Sequence, residues 1–288
     1  MVITSRQFGA TVRTPSQRCI LVTGATSGLG RALAHQLAKT GSRVLIHGRS
    51  AELAEQTRAE IAAATGSDRL DVVLADLAEL RQVERLANDV QLRCDQLDVL
   101  VNNAGIGSGP PGGGREESPD GIELRFAVNY LAGYHLTHLL QPLLLASAPA
   151  RVVNVASAGQ HPIDFDDPMM TENYIGARAY AQSKLAQIMF TFDLAEQLRG
   201  HGVTVNALHP ATYMNTAMVR EAGVSPLGTI AEGVEATMRL VADPGLDEVT
   251  GEYFHGTRAC RALEQAYDEQ DRTRLRELSG KLVERARG

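Results

Sequence analysis

Residues 19 to 30 read Cys19-Ile-Leu-Val-Thr-Gly-Ala-Thr-Ser-Gly-Leu-Gly30. The first four are apolar and β-prone, and glycines follow at Gly24, Gly28 and Gly30. The next segment, Arg31 to Thr40, repeats apolar residues at helical spacing. Strand, glycine-rich turn and helix in this order form the context in which such a turn holds a dinucleotide. Gly24 permits the tight turn, Gly28 lets backbone approach a pyrophosphate, and Gly30 lets the helix pack closely on the strand. The helix N-terminus adds unpaired N–H groups and a partial positive charge. An ordinary βα turn that happens to be rich in glycine is the competing reading. A second motif further along the chain weighs against it.

Outward from this turn, apolar runs alternate with amphipathic helical segments. The runs are Cys19–Val22, Arg43–Ile46, Asp71–Leu74, Val99–Val101, Arg151–Val155 and Val203–Leu208, with Glu252–His255 as a short expected edge strand. Helical patterns lie near 30–40, 51–64, 79–93, 121–145, 176–199 and 231–242. This alternation predicts an α/β fold: a Rossmann-type, doubly wound parallel sheet with helices on both faces, in one domain. Ligands of such sheets bind beyond the carboxyl ends of the strands. Gly24, Asn103, Ser157 and Pro210 each fall just after a run, which puts them on that one edge.

The second motif is Tyr180-Ala-Gln-Ser-Lys184, with Ser157 upstream at the end of Arg151-Val-Val-Asn-Val-Ala-Ser157. A tyrosine and a lysine four apart share a helix face. An ammonium that close favours the ionised phenol, and a position early in the helix acts in the same direction. The spacing therefore predicts a Tyr180 pKa drawn down from its usual ~10 toward neutrality. Alone, Tyr-x-x-x-Lys arises by chance on many surface helices. It gains meaning beside the glycine turn.

Together these motifs resemble the short-chain dehydrogenase/reductase family in its short single-domain form, from about Arg18 to about Phe254. Thr23-Gly24-x-x-x-Gly28-x-Gly30 matches the family's cofactor turn, which brings in Thr26, Ser27 and Leu29 as cofactor-binding positions. Asp76-Leu77 matches the place that holds the adenine. Asn102-Asn103-Ala104-Gly105 follows the Leu97–Val101 run as the family's fourth strand is followed, and Pro210 and Thr212 match its contacts after the sixth. Asn129, Ser157, Tyr180 and Lys184 match its catalytic residues, with Tyr180 and Lys184 also touching the cofactor.

A finer resemblance comes from Asn173-Tyr174, Ala179–Ala186, Phe190-Thr191, His209-Pro210 and Ile163–Asp167. These are similar to the branch that includes retinol dehydrogenases and WW-domain oxidoreductases. Two residues depart from the family pattern. Ala211 stands where glycine usually follows His-Pro, and Ala156 stands where a second serine often precedes the catalytic one. Neither removes a catalytic group.

The resemblance implies hydride transfer between a nicotinamide and a carbonyl/alcohol pair. Tyr180 would act as general acid, Ser157 would hold the carbonyl oxygen, and Lys184 would lower the tyrosine pKa and bind the ribose. Asn129 would hold a water that links Lys184 to solvent. Ser183 points elsewhere on its helix and reads as structural. The end of the second strand, His47-Gly48-Arg49-Ser50, has no acid to bind ribose hydroxyls. Arg49 offers a planar fork suited to a 2′-phosphate, with Ser50 as a further donor, so NADP(H) is expected over NAD(H). A solvated arginine in a helix-start loop is the alternative.

Composition agrees. The 288 residues carry a net charge of −6 with scattered basic residues, against a nucleic-acid footprint. Three cysteines at wide spacing suggest reduced packing or surface residues, and no metal site is expected. The Asp164, Asp166, Asp167 group reads as a charged surface turn. No run of 18 or more apolar residues marks a membrane span, and residues 1–17 lack a signal-peptide core, so a cytoplasmic protein is expected. The expected organisation is an N-terminal extension over 1–17, the cofactor domain over 18–257 and a C-terminal helical extension over 258–288. In that last stretch Leu263, Tyr267, Leu275, Leu278 and Leu282 form one helical stripe, a packed helix or an interaction arm. A homodimer or homotetramer through the helices near 121–145 and 176–199 is what the resemblance implies.

Three loops would shape the substrate pocket. Ile106–Gly121 is turn-rich and expected to be mobile. Ala158–Ala177 carries His161, Phe165, Met169, Met170 and Tyr174, and Ala211–Gly228 carries Tyr213, Met214, Met218 and Val219. Such residues suit a lipophilic or polycyclic carbonyl compound, unless they simply pack the loops. Two other functions compete. A non-catalytic NADP(H)-sensing protein would be expected to have lost a catalytic group, yet all four stand. A hydrolase built on Ser157 would need the Gly-x-Ser-x-Gly elbow, which is absent.

Overall fold

The computed structural model describes residues 13–110 and 112–287. The expected N-terminal extension therefore lies outside the described residues up to position 12. Eight strands form one sheet in the order β3-β2-β1-β4-β5-β6-β7-β8. They span β1 Cys19–Val22, β2 Arg43–Gly48, β3 Leu70–Leu74, β4 Val99–Asn102, β5 Ala150–Val155, β6 Val203–His209, β7 Tyr253–His255 and β8 Arg258–Cys260. All neighbours are parallel except β7 and β8, which pair as an antiparallel hairpin. The expected edge strand is thus covered by a further one. The segment expected to be wholly helical from 258 opens with that strand. Its residues are all exposed, so it lacks the apolar alternation by which a strand is read.

The chain leaves β1 toward β2 and β3 on one side and returns to β4 on the other. This topological switch point lies between β1 and β4, and sheets of this kind bind ligands at its carboxyl edge. On one face, α1 Gly28–Lys39, α2 Ala51–Thr65 and, later in the chain, α7 Ile230–Ala242 cover a core that includes Val22, Leu33, Leu37, Ile61, Val101 and Leu240. On the other lie α3 Leu80–Arg93, α4 Ala132–Ala146, α5 Gly176–Gln197 and α8 Glu269–Arg287, around Leu100, Tyr130, Leu136, Leu185 and Leu194. Strands buried on both faces read as continuous apolar runs, as β1 does; β5 is buried throughout but carries Arg151 and Asn154 among its apolar residues.

Two irregularities concern the site. The helix expected from residue 121 is entered through a π-helical turn, Phe126–Leu131, before α4. A five-residue helix, α6 Ala217–Glu221, interrupts the loop after β6. The C-terminal stripe packs on the domain: Leu275 and Leu282 are buried, and the Tyr130 hydroxyl hydrogen-bonds the Ser279 hydroxyl at 2.7 Å. No helix among the described residues is long and apolar enough to cross a membrane.

Candidate active site

The glycine turn is held from three sides. Gly24 adopts φ +64°, and a Cβ there would lie 2.8 Å from Ala104 Cα, so only glycine fits. Thr23 Oγ1 accepts the N–H groups of Asn103 at 2.9 Å and Ala104 at 3.0 Å, while Asn103 Nδ2 donates to Thr23 O at 2.7 Å. These bonds lock the end of β4 against the end of β1. The third hold is His47, to which the sequence gives no role. Its Nδ1 accepts the Gly24 N–H at 3.0 Å, and its Nε2 faces Ala75 O at 3.2 Å. Burial pushes this imidazole down to about 4, so it is neutral and its Nδ1 stays an acceptor. A histidine directly after the apolar run Val44-Leu-Ile46 was the available signal. His47→Leu leaves the Gly24 N–H without its partner and should cost about 1–3 kcal/mol of stability, measured by urea unfolding.

Ser27 stands at the start of α1 without a side-chain hydrogen bond to the helix, which leaves the first N–H groups uncapped by it. This is the arrangement a pyrophosphate requires. Thr26 packs against Gly48, where a Cβ would meet its Cγ2 at 2.5 Å, and the Leu29 side chain is buried in the core. At the ends of β2 and β3, Arg49 is exposed, and Ser50 Oγ caps α2 by accepting the Leu53 N–H at 3.3 Å. Asp76 Oδ1 accepts the Ala78 N–H at 2.9 Å, and Leu77 is buried.

The second cluster gathers at the ends of β4 and β5 and the start of α5. Ser157 Oγ accepts the Gly159 N–H at 3.0 Å, and its carbonyl receives the Tyr253 hydroxyl at 3.0 Å from β7. Tyr253 is thus a positioning residue that only the fold reveals. Burial pushes the Tyr180 phenol above its usual value; the Ser157 hydroxyl partly offsets this, and Tyr213 adds to it. The expected downward pull from Lys184 is not found. Lys184 is 4% exposed, and its Nζ donates to Val155 O at 2.9 Å and Gln187 Oε1 at 2.8 Å, while lying 5.8 Å from the Tyr180 ring centre. Burial lowers the lysine itself to about 7. Two acceptors have taken the ammonium: Gln187, one turn further along the same helix, and Val155 O, which only the fold brings close.

Asn129 lies in the π-helical turn, an irregularity frequent at functional sites. Its Oδ1 accepts the Ile106 N–H at 2.7 Å, and its Nδ2 donates to Ile106 O at 3.1 Å and Ser183 Oγ at 3.0 Å. Ser183 in turn donates to Tyr180 O at 2.7 Å, so it is tied into the site's framework. A Cβ on Gly105 would lie 3.2 Å from Asn129 Oδ1 and 3.5 Å from Lys184 Nζ, which brings that backbone directly over both. A small cavity lined by Thr23, Asn102, Ala104, Asn129 and Gln187 adjoins them. Among the described residues the buried Asn102 Oδ1 has no hydrogen-bond partner, the setting of an ordered water.

After β6, the Thr212 hydroxyl pairs with His209 Nε2 at 3.1 Å next to Pro210, and Tyr213 holds φ +44°. Non-glycine residues forced into that region cluster at ligand clamps. Three contacts tie described parts of the 106–121 loop to the domain: Arg125 Nε donates to Gly107 O at 3.2 Å, Arg125 pairs with Glu116 at 2.8 Å, and Arg115 Nε donates to Met169 O at 2.9 Å. Of the expected pocket residues, Phe165, Met169 and Met214 pack against the two cores, and Met170 is buried. Met218 instead reaches across to the 106–121 loop, where a Cβ on Gly107 would lie 2.9 Å from its Cγ. Of the Asp164, Asp166, Asp167 group, Asp164 Oδ1 accepts the Asp166 N–H at 3.1 Å and its carboxylate pairs with Arg178 at 3.6 Å, while Asp167 accepts from Thr171 and Glu172.

A sequence model of the family described as short chain dehydrogenase matches residues 18–225. Retinol dehydrogenase 14 of Mus musculus is 35% identical, covering 92% of this chain and 86% of that protein. Retinol dehydrogenase 13 of Homo sapiens is 35% identical over 92% of this chain and 84% of its own length. Among solved structures, an uncharacterised protein of Mycobacterium paratuberculosis superposes with TM-score 0.77 at 27% identity, covering 96% of both chains. A short chain dehydrogenase of Escherichia coli CFT073, complexed with NADPH, superposes with TM-score 0.69 at 29% identity, covering 84% of this chain and 97% of that one.

Proposed function

The chain belongs to the short-chain dehydrogenase family, in its retinol dehydrogenase branch, and on that premise we propose that it is an NADP(H)-dependent oxidoreductase that interconverts a lipophilic carbonyl compound and its alcohol. The observation that carries this reading is the cluster of Ser157, Tyr180 and Lys184 at the carboxyl edge, with the phenol beside the serine hydroxyl and the lysine buried behind.

The residues fit the cofactor. The uncapped start of α1, with Thr26, Ser27, Gly28, Leu29 and Gly30, would hold the pyrophosphate through backbone N–H groups. Arg49 would hold the 2′-phosphate, Asp76 and Leu77 the adenine, and Asn103 to Gly105 with Pro210 and Thr212 the nicotinamide half. When bound, the cofactor supplies the hydride. Tyr180 donates its proton to the carbonyl oxygen as charge develops there, and Ser157 Oγ steadies the same oxygen. A phenol held above its usual pKa stays protonated at neutrality, which suits the reductive direction. Lys184, lowered to about 7, can take up or release a proton near neutrality and so restore Tyr180. Asn129 braces the backbone over both. Met218 and Tyr213 offer apolar surface to the substrate, and the names of the retinol dehydrogenase relatives point to the same class. An assembly through α4 and α5 must accommodate α8, which pairs with α5 through Arg276 and Asp193.

The reading is tested by following NADPH and NADH absorbance against lipophilic ketones, aldehydes and quinones. Arg49→Asp should lower the NADPH/NADH preference by about 10- to 100-fold, the loss of one charge-assisted contact plus repulsion. An unchanged ratio would remove Arg49 from the phosphate site.

A further inference from the structure

Cys19 and Cys94 stand 75 residues apart in sequence, yet the fold sets their sulfurs 3.5 Å apart. Cys19 opens β1 and Cys94 ends α3, so the pair sits at the amino edge of the sheet, opposite the candidate active site. Each is 3% exposed. The charged groups around them are Arg43, Arg93, Asp71 and Asp98: Arg43 Nε bonds Asp71 Oδ2 at 2.8 Å, its Nη1 donates to Arg93 O at 2.9 Å, and Asp98 Oδ2 accepts the Cys19 N–H at 2.7 Å. The two sulfurs are not equivalent. The thiol contact and the arginines ease ionisation of Cys94, whereas that contact and burial oppose it at Cys19.

We propose that Cys19 and Cys94 form a reducible cross-link on oxidation by a peroxide. The Cys94 thiolate attacks one peroxide oxygen, the O–O bond breaks, and a sulfenic acid and hydroxide result. The Cys19 sulfur then attacks Cys94 Sγ, the S–O bond breaks, and water leaves. Two thiols and one hydrogen peroxide give one disulfide and two waters, the sulfurs losing the two electrons that the peroxide gains. Burial selects the oxidant: a water-sized peroxide can reach sulfurs that exclude a bulky disulfide such as oxidised glutathione. Closing from 3.5 Å to the ~2.05 Å of a disulfide asks for a small shift. Cys94 can make it, because its backbone has already left the helix at φ −131°. The bond would fasten α3 to β1 and so restrain the β2–β3 end of the sheet.

The test uses the full chain with Cys260→Ser, which removes the exposed third thiol. After peroxide, thiols are counted under denaturing conditions and non-reduced peptides are mapped by mass. The expected result is joint loss of both thiols, a 19–94 linked peptide two hydrogens lighter, and a Tm higher by roughly 5–10 °C that dithiothreitol reverses. Two thiols still open to alkylation would overturn the proposal, as would Cys94 oxidised to sulfinic acid with Cys19 unlinked. None of these readouts involves turnover, so the result is independent of the catalytic reading.

Discussion

Tyr180→Phe should lower kcat for carbonyl reduction by about 10²–10⁴-fold, the range general acid catalysis contributes, while NADPH still binds. The substitution removes one hydroxyl and keeps the ring, so packing at the start of α5 is preserved. Ser157 keeps its bonds from Gly159 and Tyr253, neither of which involves Tyr180. The loss should therefore fall on kcat, with the dissociation constant for NADPH, read by fluorescence titration, changing little. A variant that retains most of the wild-type kcat would mean that another group delivers the proton.

Lys184→Met should separate catalysis from stability with a signed pH dependence. In the cofactor-free protein the lysine titrates near 7, against an ordinary value of 10.5. Between these values the unfolded chain binds a proton that the folded chain has released, so stability rises with pH. Below about 7 the lysine is charged in both states, and the cost of burying that charge is carried in full. The thioether of the variant does not titrate, so wild type should gain on the variant by up to about 1.4 kcal/mol per pH unit between about pH 7 and 10. Urea unfolding of both proteins across that window measures the difference. Parallel curves would show that the lysine stays charged in the fold. In the same variant turnover should fall by at least ~10²-fold, since the group that returns the proton to Tyr180 is gone.

The parts of the site that were legible in the sequence are those encoded locally. Cys19 to Gly30 gave strand, turn and helix because a run of apolar residues, three glycine offsets and a 3.6-residue period lie next to one another. The places of Ser157 and Asn103 at strand ends followed in the same way. The Tyr180–Lys184 electrostatics did not, because the choice of Lys184 between the phenol and Val155 O is a contact across 29 residues. Likewise the hold of His47 on Gly24, and of Tyr253 on Ser157, arises only when β1 meets β2 and β7 lies near β5. The π-helical turn at Asn129 adds a residue to a helix without changing its composition, so periodicity over 121–145 could not announce it. Strand β8 was missed for another reason: Arg258-Ala-Cys260 is short, wholly exposed and without apolar–polar alternation.

Hydride transfer from NADPH to a carbonyl carbon is the step proposed for this chain. Its most direct test is to incubate the purified full chain with NADPH carrying deuterium at nicotinamide C4 and a panel of lipophilic ketones and aldehydes, then weigh the products. The expected product is an alcohol one mass unit heavier, with label at the former carbonyl carbon, formed by wild type and not by Tyr180→Phe. Tight NADPH binding with no labelled alcohol from any carbonyl class would contradict it and favour a protein that senses the cofactor without using it.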